Sequence, residues 1–344
     1  MELLAPSVEE WKRLFELVEK FKNLESWYWM GYGDVFGVQD PNTGTICYFN
    51  VIAFEMEDSE VYGLAVYIGK DGLSSLLEML DEVHDDEEQF FYNDLIIIQF
   101  VDRKILTKED LEIIKKVGLK FRGKNNWILF RRCIPGYIPR MLNKEEVNLL
   151  NSVLDQAIDV CLMFKENPNL KSMDKVLIRT CKKEDSKVIW EDEQVSLDYP
   201  DEELIVYDTN EIIEKGINEI KPKKTLDEWA IDFFFLPNPV QDEESGDIYF
   251  PYLGIVMNNI MKTGINLEMF KYSRENRLIY PQELFINTVS MTQSLPRSIV
   301  VKNDSIYNAL LDITQPLGIE LRIMDRIDII EDFKNSVRES ASEE

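Results

Sequence analysis

The last third of the chain alternates short apolar runs with helical periods, and this order restricts the fold more than any other feature. Three strand-like runs are followed by a helix, and two further strands then alternate with two helices. This order predicts a mixed sheet with helices packed against it. The predicted strands cover residues 249–257, 266–272, 278–280, 298–301 and 319–324, and the predicted helices cover residues 281–295, 304–317 and 327–338.

The order β-β-β-α-β-α-β-α resembles the ribonuclease-H-like fold, the core shared by that nuclease and many integrases. Nucleases of that fold hold two metal ions on a carboxylate cluster, and one acid of this cluster lies midway along the first strand. The run that we predict as the first strand, 249–257, carries no acid. Asp304 follows the fourth strand, where a helix cap is the simpler role, and Asp325 follows the last strand. A metal-dependent nuclease using Asp304 and Asp325 is therefore only an alternative function.

The N-terminal part predicts a separate domain of helices around an antiparallel meander. Ser7 to Glu10 form a capping-box pattern before a helix over 7–24, and β-rich runs between 27 and 69 predict the meander. The continuously apolar run at 95–101 predicts a strand buried on both faces. Thr107 begins a short helix that ends at Gly118, and Asn143 caps a helix over 143–165. We expect an α+β protein with four parts. These are an N-terminal domain over 1–168, a β-rich connecting unit over 169–226, the ribonuclease-H-like domain over 227–338 and a frayed tail over 339–344.

Charge is distributed unevenly along this acidic chain. The formal net charge is −26, which disfavours a general nucleic-acid or membrane-surface binder because the whole-molecule field repels phosphate. Residues 103–144 nevertheless hold twelve basic residues and three acidic ones. Between 120 and 140 there are six basic residues and no acid, and aromatic residues are interleaved with them.

Arginine forks match phosphate or carboxylate, and aromatic rings stack on bases or on guanidinium groups. Three interpretations of the basic segment remain open. The charges could neutralise the chain's own acidic surface and hold the domains together, form a groove for an anion or nucleic acid, or dock an acidic protein partner. The candidate binding residues are Arg122, Lys124, Asn125, Trp127, Arg131, Arg132, Tyr137 and Arg140.

Several chemistries lack their sequence signatures. Cys47, Cys133, Cys161 and Cys181 form no C-x-x-C pair, and the lone His84 excludes a multi-histidine centre. Neither common phosphate-binding glycine motif is present, so we predict no metal and no cofactor. No strictly apolar run of about 18 residues and no signal-peptide pattern occur, so we expect a cytoplasmic protein away from membranes. Nothing in the sequence predicts the oligomeric state.

Several short motifs lie at 36–41, 63–69, 120–124, 135–137, 295–301 and 317–320. Together they resemble a family of uncharacterised proteins, chiefly from Gram-positive bacteria. In that family one domain of unknown function is followed by a second. The resemblance implies a soluble bacterial protein of the cytosol and supplies no activity, cofactor or catalytic residue. The missing first-strand carboxylate, the single histidine and the absent phosphate-binding motifs predict a protein that acts by binding rather than by catalysis.

Overall fold

A computed structural model describes residues 4–31, 33–56, 59–84, 86–171, 175–184, 187–201, 205, 208, 213, 217–243 and 245–342. The chain divides into two compact units. The first unit comprises Met1–Ile134 and Pro139–Pro200, and the second comprises Pro135–Ile138 and Asp201–Glu344. The chain therefore leaves the first unit for four residues, contributes them to the second unit, and returns.

The first unit is built on a seven-stranded sheet of order β5-β4-β3-β2-β1-β6-β7. Neighbouring strands are antiparallel except for β1 and β6, which are parallel. The strands are β1 (Val35–Gln39), β2 (Ile46–Met56), β3 (Ser59–Ile68), β4 (Leu95–Val101), β5 (Trp127–Cys133), β6 (Val176–Glu184) and β7 (Lys187–Val195). The helices are α1 (Val8–Leu24), α2 (Gly69–Leu80), α3 (Asp86–Tyr92), α4 (Lys108–Val117) and α5 (Lys144–Glu166).

Local sequence signals determine where these helices begin. Ser7, Thr107 and Asn143 each cap the helix that follows, and each closes a reciprocal capping box with the residue three positions later. Both faces of the sheet are covered. Ile96 belongs to the core formed with α1 and α5, and its neighbour Leu95 belongs to the core formed with α2. The buried strand predicted at 95–101 is confirmed, because β4 has apolar side chains on both faces.

Helix α5 is the one described helix that is long and apolar enough, by length and composition, to cross a membrane. Half of its most apolar window is buried inside the protein, and Leu150, Leu154 and Cys161 are fully covered. Its first turn also carries a capping box that ends in the ion-paired Glu146. These features are those of a core helix of the first unit.

The strands that the sequence analysis assigned to a connecting unit pair within the first sheet. Strand β2 pairs with one edge of β1, and β6 pairs with the other edge. Strands β1 and β6 are parallel, and Phe36 lies opposite Leu177. Strand β7 then pairs with β6 as an antiparallel hairpin. A local sequence pattern shows that strands exist here, but only the open edge of β1 determines which sheet they join.

The second unit contains a five-stranded sheet of order β10-β9-β8-β11-β12. Strand β8 is antiparallel to β9 and parallel to β11, and β11 is parallel to β12. The strands are β8 (Glu228–Phe235), β9 (Tyr252–Asn258), β10 (Thr263–Phe270), β11 (Ser298–Val301) and β12 (Glu320–Ile323), and the helices are α6 (Ile279–Thr292), α7 (Asp304–Leu317) and α8 (Asp328–Ser342). Two-residue strands pair Val240–Gln241 with Ile248–Tyr249, and Ser294–Leu295 with Lys223–Lys224.

The element order β-β-β-α-β-α-β-α is confirmed, but the first of its three initial strands lies one strand earlier in the chain than predicted. The run predicted as the first strand is β9, the second strand, and the first is β8. The run predicted as the third strand begins helix α6 instead, since Ile279 and Tyr280 are helical and Pro281 fits the first turn. Three apolar residues are too few to distinguish a strand from a helix. In the structure, the Tyr280 hydroxyl stabilises this helical turn by donating a hydrogen bond to the Lys271 carbonyl oxygen.

Helix α8 covers one face of the second sheet. Its residue Ile330 packs with Ala230 of β8, Ile255 of β9 and Val300 of β11 in one apolar cluster. On β8 the neighbouring Trp229 instead contacts Phe285 of α6, with ring centroids 6.2 Å apart. The sheet is therefore covered by helices on both faces. Helix α8 extends to Ser342, within the tail over 339–344 that was predicted to fray, and the last two residues of that tail lie outside the described ranges.

Candidate anion-binding site

The eight residues predicted to form a binding site lie in three different environments. Three arginines pair with carboxylates of the first unit, the tyrosine belongs to the second unit, and the other four lie together where β5 begins. The structure thus brings together half of the predicted set. In the order just given, the residues are Arg131, Arg132 and Arg140, then Tyr137, then Arg122, Lys124, Asn125 and Trp127.

Arg131 forms a two-pronged ion pair with Asp110. Its two terminal nitrogens donate to the two carboxylate oxygens over 2.8 and 2.7 Å, and the Asp110 side chain is only 5% exposed. Burial alone would raise the pKa of Asp110, but hydrogen bonds from Arg131 and Thr107 outweigh it and hold that pKa below its ordinary value. The same carboxylate closes the capping box of α4, so Arg131 ties that helix to β5.

Arg132 and Arg140 share the carboxylate of Glu146. Arg140 binds it with both terminal nitrogens, over 2.7 and 2.9 Å, and Arg132 Nε lies 3.4 Å from Glu146 Oε1. Arg132 also pairs with Asp94 at 2.5 Å. These contacts, like the Arg131 pair, all lie within the first unit. They agree with the interpretation in which basic residues neutralise the chain's own acids.

Tyr137 lies in the four-residue segment that belongs to the second unit. Its ring centroid is 6.4 Å from that of Tyr249, and Lys271 Nζ lies 5.6 Å from the Tyr137 ring. Lys271 in turn pairs with Asp242 at 3.1 Å and with Asp247 at 3.4 Å. The ring contacts of Tyr137 therefore serve the packing of the second unit.

The remaining residues are brought together by the register of β4 and β5. Val101 pairs with Trp127, so the residues that follow β4 lie beside the residues that precede β5. The Asn125 backbone N–H donates to Asp102 Oδ1 over 2.9 Å, and Asn125 has a left-handed φ of 53°. Asparagine tolerates this conformation better than most residues do. The cluster lines a shallow depression of about 660 Å³, and we name it the Trp127 patch: Arg103, Lys104, Phe121, Arg122, Lys124 and Trp127.

Two aromatic rings form the floor of the Trp127 patch. The Arg103 guanidinium lies 5.7 Å from the Trp127 ring centroid, within range of a cation–π contact. Phe121 meets Trp127 edge-on at 5.8 Å and contacts Phe15 of the main core at 6.1 Å. The core therefore holds the rings in place, and the rings position a guanidinium at the surface.

The cations of the patch are available to a partner. Arg103, Lys104, Arg122 and Lys124 are exposed, and none of them forms an ion pair with a described residue. The single carboxylate that lines the depression, Asp102, accepts the Asn125 N–H. Four cations around two rings can pair with carboxylate or phosphate groups and can stack on a flat group.

Arg103 and Lys104 are the cations of this patch that sequence reasoning did not select. They belong to the basic segment, but they precede Arg122 by nearly twenty residues and carry no motif of their own. The signal that could have identified them is the pairing of the run 95–101 with the run at 127–133. The sequence analysis predicts the first of these strands, but neither the second strand nor its register with the first.

The acids of the alternative nuclease function are not part of a carboxylate cluster. Asp304 is the first residue of α7, and its predicted capping role belongs instead to Asn303, whose side chain accepts the Ile306 N–H over 2.9 Å. Asp325 is exposed after β12. Throughout the described ranges, no group of three or more His, Cys, Asp and Glu side chains could hold a metal ion.

The statement that the first strand carries no acid requires correction. Because the first strand is β8, its middle holds Asp232, whose side chain is 2% exposed. Lys334 of α8 lies 2.9 Å from Asp232 Oδ2. The acid was missed because the predicted sheet began at the second strand rather than at the first.

Comparison with known proteins confirms the resemblance to a family with two tandem domains of unknown function. A domain of unknown function, DUF7309, matches residues 11–214, and a second, DUF6930, matches residues 216–338. The chain matches no curated protein. It is similar, at 16% identity and a TM-score of 0.21, to a chain in the crystal structure of the Mos1 strand transfer complex, over 35% of this chain and 40% of that one. A similarity this low supports no argument about function. Because the first match alone spans more than half of the residues, this chain belongs to the DUF7309 family.

Proposed function

We propose that this protein is a non-catalytic binding protein whose Trp127 patch docks an acidic segment of a protein partner. The observation that carries the proposal is the group of four exposed cations, unpaired among the described residues, around the Trp127 and Phe121 rings. The other arginines of the basic segment are engaged with carboxylates. The patch therefore stands out as the part of that segment where exposed cations surround aromatic rings.

The net charge of −26 favours a partner of limited size over a long polyanion. Exposed charges act mainly within the Debye length, about 8 Å at physiological salt. A short acidic segment lies within that range of the patch, whereas a nucleic acid extends over surface whose field repels it. The proposal places this interaction in the cytoplasm, which the four free cysteines support.

The shape of the patch also favours a macromolecular partner. The depression is shallow, whereas small-molecule sites are concave and enclose most of the ligand. Tryptophan and arginine are the residues most enriched at the centres of protein interfaces. Trp127 and Arg103 supply that combination at a point where the core prevents the ring from moving away.

The test is a binding measurement with a defined probe. A fluorescent polyglutamate peptide is titrated with the wild type and with Arg103→Glu/Arg122→Glu, and fluorescence anisotropy is read at low and at physiological salt. The matched control, Lys12→Glu/Lys187→Glu, makes the same charge change at exposed lysines elsewhere in the first unit. We expect the patch variant to lose at least about tenfold in affinity and the control to lose much less, because close charge pairs dominate.

Two results would contradict the proposal. Equal losses in the patch variant and in the control would mean that the peptide senses only net charge. Tighter binding of a single-stranded oligonucleotide than of the peptide, abolished by Arg103→Glu/Arg122→Glu, would assign the patch to nucleic acid. Unchanged melting temperatures in both variants confirm that the folded state is compared.

A further inference from the structure

Two lysines and two carboxylates meet on one face of the second sheet. Asp232 lies in the middle of β8, and Lys302 directly follows β11. Glu331 and Lys334 lie one turn apart on α8. Lys334 Nζ is 2.9 Å from Asp232 Oδ2, and Lys302 Nζ donates to Glu331 Oε1 over 2.8 Å. We name these four residues the lysine clasp.

The register of the sheet brings the two pairs together. Val301 of β11 pairs with Ile231 of β8, so continuing the register by one residue places Lys302 beside Asp232. The charge of Lys334 helps to lower the pKa of Glu331, so the two pairs lie close enough to interact. The clasp therefore joins β8, the end of β11 and α8.

Both members of the Asp232–Lys334 pair are buried. Their side chains are 2% and 6% exposed, and the Lys334 ammonium also lies 5.1 Å from the Phe234 ring centroid. The ion-pair contact to Asp232 Oδ2 lacks hydrogen-bond geometry, so this buried oxygen accepts no hydrogen bond from a described residue. A buried carboxylate of this kind depends on an adjacent cation, because desolvation of an unpaired charge is costly.

The second pair forms the other end of the clasp. Burial raises the pKa of Glu331, but the hydrogen bond from Lys302 and the charges of Lys302 and Lys334 outweigh it and hold the pKa below its ordinary value. The Lys302 side chain is 37% exposed, so this end of the clasp faces water. The clasp therefore matches two amines with two carboxyl groups.

The clasp occupies the place where nucleases of this topology hold metal ions. They need carboxylates at the middle of the first strand and near the end of the fourth strand, because hard divalent cations require several oxygen ligands. Here the first-strand carboxylate is present as Asp232, but the next position is Lys302, and Lys334 reaches Asp232 from the last helix. Two ammonium groups repel a divalent cation, so this set of donors does not fit a two-metal site.

We propose that the second unit contains a carboxylate site closed by its own lysines, in which the ammonium groups of Lys302 and Lys334 take the places of divalent cations and fasten α8 to the sheet. The inference concerns the second unit and does not depend on the function proposed for the Trp127 patch. It predicts that the wild type does not use this site for metal ions, and that removing the lysines exposes a cation site.

The experiment measures the melting temperature of the full chain with and without millimolar Mn²⁺. We expect no Mn²⁺ shift in the wild type beyond that in Asp232→Asn. Lys302→Met/Lys334→Met keeps the apolar stems but removes both ammonium groups. It should melt roughly 5–10 °C lower, and Mn²⁺ should recover part of that loss. Adding Asp232→Asn should abolish the recovery, and the control Lys262→Met should behave as the wild type.

Either of two outcomes overturns the inference. A rise in the wild-type melting temperature with Mn²⁺ that Asp232→Asn removes would show a resident metal site. A double-lysine variant that does not respond to Mn²⁺ would show that the carboxylates do not form a cation site. If the double variant does not fold, Lys302→Met/Lys334→Gln replaces it, since a glutamine amide can still donate a hydrogen bond toward Asp232 but carries no charge. Mn²⁺ binding is then followed by electron paramagnetic resonance, with the same expected gain and the same refutation.

Discussion

Replacing Arg131 by alanine tests the distinction between structural and available arginines most directly. In the sequence, Arg131 and Arg122 are equivalent members of one basic run. In the structure, Arg131 binds both oxygens of the buried Asp110, whereas Arg122 is exposed and pairs with no described carboxylate. Arg131→Ala should therefore destabilise the first unit, and Arg122→Ala should leave its stability nearly unchanged.

The magnitude follows from what the substitution leaves behind. Removing one partner of a buried ion pair costs about 3–5 kcal/mol, because the other charge stays buried and uncompensated. The Arg131 side chain is 17% exposed, so water reaches the pair and the lower end, about 3 kcal/mol, applies. For a unit of about 200 residues this corresponds to a fall in melting temperature of roughly 6–12 °C. Arg122→Ala should stay within about 0.5 kcal/mol of the wild type.

Urea unfolding followed by tryptophan fluorescence suits this comparison. Of the six tryptophans only Trp229 belongs to the second unit, so the signal reports mainly on the first unit. The double variant Arg131→Met/Asp110→Asn should lose less than the sum of its single changes, because it leaves no buried charge unpaired. A loss below about 1 kcal/mol for Arg131→Ala, or one equal to that of Arg122→Ala, would refute the reasoning.

Three further predictions follow from the first unit. The pKa of Asp110 is lowered in the folded state, so its ionised carboxylate contributes stability above about pH 4, and this contribution is lost as the pH falls further. In urea titrations, Asp110→Asn should therefore lose less stability than the wild type between about pH 4 and pH 2. Gly63→Ala should cost about 3 kcal/mol by the same assay, since its Cβ would lie 2.2 Å from the Ile98 carbonyl oxygen. Maleimide labelling of the native protein, read by mass spectrometry, should modify the partly exposed Cys181 first, while the three fully buried thiols react only in urea.

Much of the fold was predictable because its signals are local. The capping boxes at Ser7, Thr107 and Asn143 predict helix starts that the structure confirms. Each depends on a side chain bonding a backbone group three residues away, so distant residues do not affect it. The prediction failed at 278–280, where a three-residue apolar run fits either a strand or the first turn of a helix.

The candidate site was predictable only in part. The basic segment was evident from composition, yet Arg131, Arg132 and Arg140 were indistinguishable there from Arg122. Their difference lies in the acids that the fold brings to them, such as Asp94, which directly precedes β4 and pairs with Arg132 of β5. No local pattern specifies which cation meets which carboxylate.

The sequence by itself determined where the capped helices begin, the alternation of strands and helices in the second unit, the tandem organisation and the asymmetry of charge. These depend on periodicity, capping and composition, which act over a few residues or over the whole chain. The tertiary structure alone decided that Arg103 joins Trp127, that the strands at 176–195 complete the first sheet, and that Lys334 neutralises Asp232. Strand register and helix packing set these contacts, and both are determined by how apolar faces meet across the whole fold.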